Sequence, residues 1–129
     1  TEKLICPVMD ARCGQVYTAL FRHQNGIFLR ESTDKILSIE ELGTYLKGLG
    51  ENFILTGDAA QLCAQHTSFT GLPLGRVGDF TGVNHAAYVA SAALEAYKQG
   101  KAVSPENLMP VYLSIPQAQR EREKRTEES

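Results

Sequence analysis

The chain has 129 residues, with 13 Lys and Arg against 15 Asp and Glu and a formal net charge of −2. This length fits one domain with its own hydrophobic core, and the balanced charge gives no electrostatic reason to expect nucleic acid or a membrane surface as a direct partner. No apolar run approaches the roughly 20 residues of a transmembrane helix, and no signal-peptide pattern opens the chain. These features predict a cytoplasmic protein.

The first third of the sequence is typical of β-structure. Residues 4–9 form an apolar run of the kind found in strands covered on both faces. Residues 10–14 have turn chemistry, residues 15–21 are rich in strand formers, and Asn25-Gly26 is a two-residue hairpin signal before a third strand at 27–31. Three consecutive strands joined by short turns predict an antiparallel meander.

Helical patterns follow the meander. Ser38 and Glu41 have the spacing of a capping box, and apolar residues recur at helical spacing up to a stop at Gly50. A short buried strand at 53–55 and a turn at 56–58 lead into a second helix. The face of that helix expected to point inward carries Ala59, Leu62, Cys63 and His66.

The clearest helix of the sequence runs from a cap at Asn84 to Gln99 and stops at Gly100. Its apolar face, whose alanines would allow close packing, consists of Ala86, Val89, Ala90, Ala93, Leu94 and Tyr97. The element order predicts an α/β fold with a mixed sheet, in which the three-strand meander is joined by parallel strands and by three helices. This is the element order of a ribonuclease-H-like lobe.

The sequence predicts one domain over residues 1–116, followed by a charged polar tail over residues 117–129. The glycine-rich stretch before the third helix contains a candidate edge strand at 72–74. A glycine-rich loop before a helix can hold an anion, but the spacing over residues 75–79 matches no phosphate-binding fingerprint. A plain loop is therefore the favoured interpretation there, and residues 111–113 are a last short apolar segment.

The usual catalytic signatures are absent from the sequence. It contains no GxxxxGK[ST] loop, no HExxH and no two histidines one helical turn apart. We therefore predict no catalytic residue, no cofactor and no metal site. The alternative left open is a small metal-dependent hydrolase of ribonuclease-H-like form, in which Asp10 would be a metal ligand and Asp58 and Asp79 the other loop acids in a suitable context.

The cysteine pattern argues against a disulfide framework. Cys6, Cys13 and Cys63 are odd in number and form no CxxC pair. Free thiols in a reducing cytosol are the expectation. Cys13, in the predicted turn, has no neighbouring histidine in sequence that would activate it as a nucleophile.

Two segments of the sequence resemble the TsaB/YeaZ family. Residues 8–17, Val-Met-Asp-Ala-Arg-Cys-Gly-Gln-Val-Tyr, resemble that family's "IDARRGEVY" segment, and residues 106–113 resemble its terminal "EP-x-YLR" segment. Their order and separation, with an alanine-rich helix just upstream of the second, extend the resemblance over most of the chain. The sequence departs from the family at Pro7, at Cys13, where Arg or Lys is common, and at Ser114, where Arg is usual.

The resemblance implies the C-terminal lobe of a two-lobed protein of the actin/Hsp70/sugar-kinase superfamily. TsaB proteins, once labelled glycoproteases, are non-catalytic partners in the synthesis of threonylcarbamoyladenosine in tRNA. The implied partners, reached through the full-length protein, are a TsaD-like catalytic subunit and a TsaE-like ATPase. Transfer RNA is contacted only indirectly, and a homodimer is left open.

The residues expected at a cleft or interaction surface are Asp10, Arg12, Tyr17 and Tyr112. A scaffold lobe should also expose an apolar patch where a first lobe would dock. A direct RNA-binding module is disfavoured, because the net charge is slightly negative and the aromatic residues are scattered along the chain.

Overall fold

The computed structural model describes residues 3–25, 27–75, 86–115, 119 and 125–126. The chain divides into two compact units, residues 1–90 and 91–129. The strands are β1 (Lys3–Arg12), β2 (Gln15–Thr18), β3 (Phe21–Gln24), β4 (Ile27–Arg30), β5 (Lys35–Ser38) and β6 (Phe53–Thr56). The helices are α1 (Ile39–Leu49), α2 (Ala60–Gln65) and α3 (Ala86–Lys98), with 3-10 helices at Thr67–Phe69 and Pro105–Asn107. The mixed α/β class agrees with the prediction.

Strand β1 lies inside the sheet and has neighbours on both edges. On one edge it pairs antiparallel with β2 and then β3 in one continuous register, in which Val8 faces Thr18 and Ile5 faces Phe21. On the other edge it pairs in parallel with β6, and Cys6 faces Leu55. Pro7 is accommodated within β1 opposite Thr56.

The return strand predicted over residues 15–21 is divided into β2 and β3 by an interruption at Ala19 and Leu20. At this point the Leu20 N–H donates to Ser32 Oγ at 2.8 Å rather than to a ladder carbonyl. Ala19 and Leu20 are both buried. A side chain twelve residues away therefore breaks the strand, and local sequence could not show this.

Strand β4 pairs antiparallel with β3, and β5 pairs antiparallel with β2. The sequence analysis missed β5. All four residues of β5 are half-buried, so the strand lacks the alternation of buried and exposed positions that marks a strand in sequence.

Helix α1 has the capping box that the sequence predicted. The Glu41 N–H donates to Ser38 Oγ at 3.1 Å, and the Ser38 N–H donates to the Glu41 carboxylate at 2.7 Å. The helix ends at Gly50, which adopts a left-handed conformation with φ of 66°. The predicted start and stop of α1 are thus both confirmed.

The capping box makes a pH-dependent contribution to stability. Hydrogen bonds from Ser38 lower the pKa of Glu41, so its stabilisation is present at neutral pH and is lost as the pH falls through that lowered pKa. We expect Ser38→Ala to cost about 1 kcal/mol at pH 7. Urea denaturation should show the gap between wild type and Glu41→Ala narrowing in acid, where the Glu41 carboxylate becomes protonated; a gap independent of pH would contradict the assignment.

The core lies between the sheet and the helices of the first unit. Its buried members are Leu4, Cys6, Val8, Val16, Leu20, Ile39, Leu42, Leu46, Phe53, Leu55, Ala59, Ala60, Cys63 and Phe69. The prediction that Leu62 points inward is wrong, because its side chain is 53% exposed. With Ala59, Ala60 and Cys63 facing the sheet, Leu62 lies about 100° from Cys63 around the helix.

The cysteines differ sharply in environment. Cys6 and Cys63 are buried, and Cys13 is exposed. Burial raises the pKa of both Cys6 and Cys63 to about 11, so both thiols stay protonated at neutral pH, and Cys6 Sγ lies 3.3 Å from Thr18 Oγ1.

We expect a thiol reagent to label one cysteine in the native chain and all three after denaturation, since the thiolate is the reactive form. Because the buried thiols hold their protons above the ordinary thiol pKa of 9.0, native stability should also fall as the pH rises through 11. Colorimetric thiol titration tests the labelling, and its control is Cys13→Ser, which should leave no fast-reacting group. Rapid labelling of Cys6 would contradict the core placement.

The third helix, α3, begins at Ala86 in the described residues, and its predicted cap Asn84 lies outside them. No residue of α3 is buried. Within the described part of the chain, no helix combines the length and apolar character needed to cross a membrane.

Candidate functional site: the turn after strand β1

The segment singled out by the sequence forms the hairpin turn between β1 and β2. The turn is tighter than the predicted 10–14, because β1 continues to Arg12, which pairs with Gln15 after a register shift at Asp10. Arg12, Cys13 and Gly14 all have positive φ, of 69°, 53° and 72°. A left-handed conformation costs a non-glycine residue about 1–2 kcal/mol, so this turn holds two strained positions.

Asp10 fixes the entry to this turn. Its Oδ1 accepts the Arg12 N–H at 2.8 Å, and the Arg12 guanidinium lies 3.7 Å from Oδ2. The structure thus brings together two of the predicted site residues. The Arg12 side chain is 87% exposed, so its positive charge is presented to solvent beside the turn.

A third residue, Asp58, comes from the loop between β6 and α2. The Asp10 N–H donates to Asp58 Oδ1 at 3.0 Å. Asp58 is placed by Gly57, which has φ of 104° and packs so closely that an added Cβ would lie 2.2 Å from the Val8 carbonyl oxygen. The loop therefore closes over the end of β1.

The carboxylates at this turn are engaged with the backbone. Asp10 uses Oδ1, and Asp58 uses Oδ1, to hold backbone N–H groups of the same hairpin strand. Among the described residues, no three His, Cys, Asp or Glu side chains are grouped to hold a metal ion, and Asp79 lies outside those residues. Two such carboxylates do not make the converging ligand set of a two-metal nuclease.

The other two predicted site residues lie elsewhere in the structure. Tyr17, in β2, is half-buried and faces Met9 across the ladder. Tyr112 belongs to the second unit and is 84% exposed.

Sequence reasoning missed a polar hollow of about 400 Å³ lined by Glu40, Thr44, Lys47, His66, Thr67 and Ser68. Within this lining, His66 Nδ1 lies 2.8 Å from Ser68 Oγ, which donates to the Ile39 carbonyl at 3.3 Å. His66 was expected on the inner face of the second helix, but it follows α2 and caps the 3-10 helix at Thr67–Phe69. No sequence signal pairs residues 39 and 68.

The strained turn yields a prediction. Cys13→Gly should raise the free energy of unfolding by about 1 kcal/mol, because glycine adopts positive φ without the Cβ penalty. Cys13→Ala is the matched control: it removes the thiol but keeps the strain, and should leave stability nearly unchanged. Equal gains from both variants in chemical denaturation would show that the thiol, not the backbone, is unfavourable.

Solved YeaZ structures share the mixed α/β fold of this chain. An uncharacterized protein with similarity to peptidase YeaZ from Pseudomonas aeruginosa aligns with a TM-score of 0.63 and 20% identity over 87% of this chain. YeaZ from P. aeruginosa aligns with a TM-score of 0.60 and 19% identity over 85%. The chain spans half the length of each.

These likenesses show a common fold, and they agree with the TsaB/YeaZ resemblance carried by residues 8–17 and 106–113. A scan of protein-family models and a search of curated proteins gave no match.

Proposed function

We propose that this chain is a ribonuclease-H-like lobe of a TsaB/YeaZ-like protein, serving as a non-catalytic scaffold. In this role it supports threonylcarbamoyl transfer to adenosine 37 of tRNA by a TsaD-like catalytic partner. The observation that carries the proposal is the fold shared with YeaZ over 85% of this chain, which matches only half of the solved YeaZ chain. In this proposal the lobe acts as one half of a two-lobed protein.

Exposed apolar side chains between residues 86 and 115 support this proposal. They are Tyr88, Val89, Leu94, Tyr97, Val103, Leu108, Met109, Val111, Tyr112 and Ile115. The exposed fractions reach 80% at Val111 and 84% at Tyr112. Exposed apolar side chains in this number are typical of a surface that another protein surface covers, and a first lobe is the proposed cover.

The hairpin turn has a scaffold role in this proposal. Asp10 and Asp58 each use a carboxylate oxygen to hold backbone N–H groups, so their chemistry shapes the turn and leaves Arg12 displayed. We propose that this turn, with Tyr17 beside it in the same hairpin, contributes a contact surface. Chemistry on the substrate then belongs to the catalytic partner.

Calorimetric titration against a TsaD-like catalytic subunit tests the proposal. The two titrants are the 129-residue chain and a hybrid in which this chain replaces the C-terminal half of P. aeruginosa YeaZ. We expect the hybrid to bind and the isolated chain to give no measurable heat, because the partner is reached through the two-lobed protein. Failure of a folded hybrid to bind would contradict the scaffold role.

A further inference from the structure

The polar hollow beside helix α1 has a volume of about 400 Å³, which lies in the range of small-molecule binding sites. One wall is a stripe of α1 that carries Glu40, Thr44 and Lys47, and the other wall is the segment 66–68. Both walls belong to the first compact unit of the chain. Every lining side chain is polar, so a ligand here would be recognised by charge and hydrogen bonds.

Ser68 joins the two walls of the hollow. Its hydroxyl donates to the Ile39 carbonyl of α1 at 3.3 Å, and it packs where a side chain on Gly43 would stand, since an added Cβ there would lie 2.3 Å from Ser68 Oγ. This contact fixes the segment 66–68 against the helix, so the hollow is preformed. Because the Ser68 hydroxyl is committed to the Ile39 carbonyl, the hollow is suited to binding rather than to nucleophilic chemistry.

The middle of the lining offers neutral hydrogen-bonding groups. His66 Nδ1 accepts the Ser68 N–H at 3.3 Å, so the neutral ring carries its proton on Nε2, where it is a donor. The hydroxyls of Thr44 and Thr67 can each donate and accept. Within the described residues, none of these three groups has a hydrogen bond to another part of the chain.

The two charges of the lining lie toward opposite ends of the hollow. Glu40 is in the first turn of α1 and Lys47 in the last, about 10 Å apart along the axis at a rise of about 1.5 Å per residue. Both side chains are exposed, and neither enters an ion pair in the part of the chain that the structure describes. A simple anion would meet the Glu40 carboxylate, and a simple cation would meet the Lys47 ammonium group. The lining therefore favours a molecule with a positive charge at one end and a negative charge at the other.

We propose that this hollow is a binding site for a free peptide of dipeptide size. The amino terminus of the peptide lies against the Glu40 carboxylate, and its carboxylate lies against the Lys47 ammonium group. The central peptide group pairs with the hydroxyls of Thr44 and Thr67 and with His66 Nε2–H. A zwitterion with a plain methylene chain would leave these groups to water, whereas a peptide group supplies both a donor and an acceptor. This inference is independent of the proposed function.

Glycylglycine is the probe of this site. Its binding should be weak, with a dissociation constant on the order of 1 mM, because the ligand is small and the charged side chains are exposed. NMR spectra of the full chain, titrated with the dipeptide to about 50 mM at constant pH and ionic strength, should show saturable amide shifts at Thr44, Thr67 and Ser68.

Three analogues each remove one group of the probe. N-acetylglycine lacks the ammonium group, glycylglycinamide lacks the carboxylate, and 5-aminopentanoate keeps both charges at the same chain spacing but lacks the peptide group. Each should bind the wild-type chain about three- to fivefold more weakly than glycylglycine does.

Matched variants test whether each group meets the residue assigned to it. Glu40→Gln should bind glycylglycine and N-acetylglycine equally, and Lys47→Gln should bind glycylglycine and glycylglycinamide equally. Thr44→Val replaces the hydroxyl with a methyl group and should narrow the gap between glycylglycine and 5-aminopentanoate. Lys98→Gln, which removes the lysine from the last turn of α3, is the control and should keep the wild-type selectivity.

Three results would overturn the proposal. The first is the absence of a saturable shift at the hollow by about 50 mM glycylglycine. The second is equal or tighter binding of the analogues to the wild-type chain, which would show a site for simple ions or no selective site. The third is wild-type selectivity in both Glu40→Gln and Lys47→Gln. Both substitutions are at exposed positions of α1, and circular dichroism verifies that the variants are folded.

Discussion

Replacing Gly57 with alanine should lower the free energy of unfolding by about 3 kcal/mol or more, summing left-handed backbone strain and overpacking. Gly57 has φ of 104°, and its added Cβ would lie 2.2 Å from the Val8 carbonyl oxygen. Because the Val8 oxygen belongs to the backbone and a Cβ is held rigidly by its own Cα, the clash is relieved only by moving the loop away from β1. Asp58 would then lose its hydrogen bond to the Asp10 N–H.

Gly71→Ala is the control that separates the two costs. Gly71 also has positive φ, of 76°, but no atom lies within 4 Å of its added Cβ. We expect it to cost only the strain of about 1–2 kcal/mol. Urea denaturation of both variants measures the difference, and equal losses would show that the close approach to Val8 is unimportant.

Gly43→Ala should destabilise the protein by about 1–3 kcal/mol despite the better helix propensity of alanine. Its Cβ would lie 2.3 Å from Ser68 Oγ and 2.9 Å from the Ser68 carbonyl oxygen. Helix α1 can approach the 3-10 helix at Thr67–Phe69 only because this position lacks a side chain.

Gly48→Ala, in the same helix, should have the opposite effect and raise the free energy of unfolding. No atom lies within 4 Å of its added Cβ, so the variant should gain about 0.5–1 kcal/mol from propensity alone. Thermal unfolding of the pair measures both effects. A stabilising Gly43→Ala would contradict the packing of α1 against Ser68.

What could be predicted from the sequence was mostly local. The capping box of Ser38 and Glu41 and the helix stop at Gly50 each depend on residues close together in the chain. Both features are present in the structure. The Asn25-Gly26 signal likewise lies between β3, which ends at Gln24, and β4, which begins at Ile27, and these strands pair antiparallel as a hairpin signal predicts.

What could not be predicted depends on distant residues or on backbone geometry. The bond from Asp10 to Asp58 joins positions 48 apart in sequence, and the break at Leu20 depends on Ser32. The shift of the turn to Cys13-Gly14 requires positive φ at two non-glycine residues, which propensity disfavours. The candidate site was therefore located by its motif, whereas its third member, Asp58, was placed only by the fold.

The most direct test of the scaffold role is a reconstituted tRNA reaction containing a TsaD-like subunit and its ATPase. The added component is the hybrid that carries this chain as the C-terminal half of P. aeruginosa YeaZ, with and without Asp10→Asn. The account predicts threonylcarbamoyladenosine formation that depends on the hybrid, and that survives Asp10→Asn within about threefold because Asp10 shapes a turn and performs no chemistry. A folded hybrid that supports no transfer, or a loss of the chemical step with Asp10→Asn while partner binding persists, would contradict it.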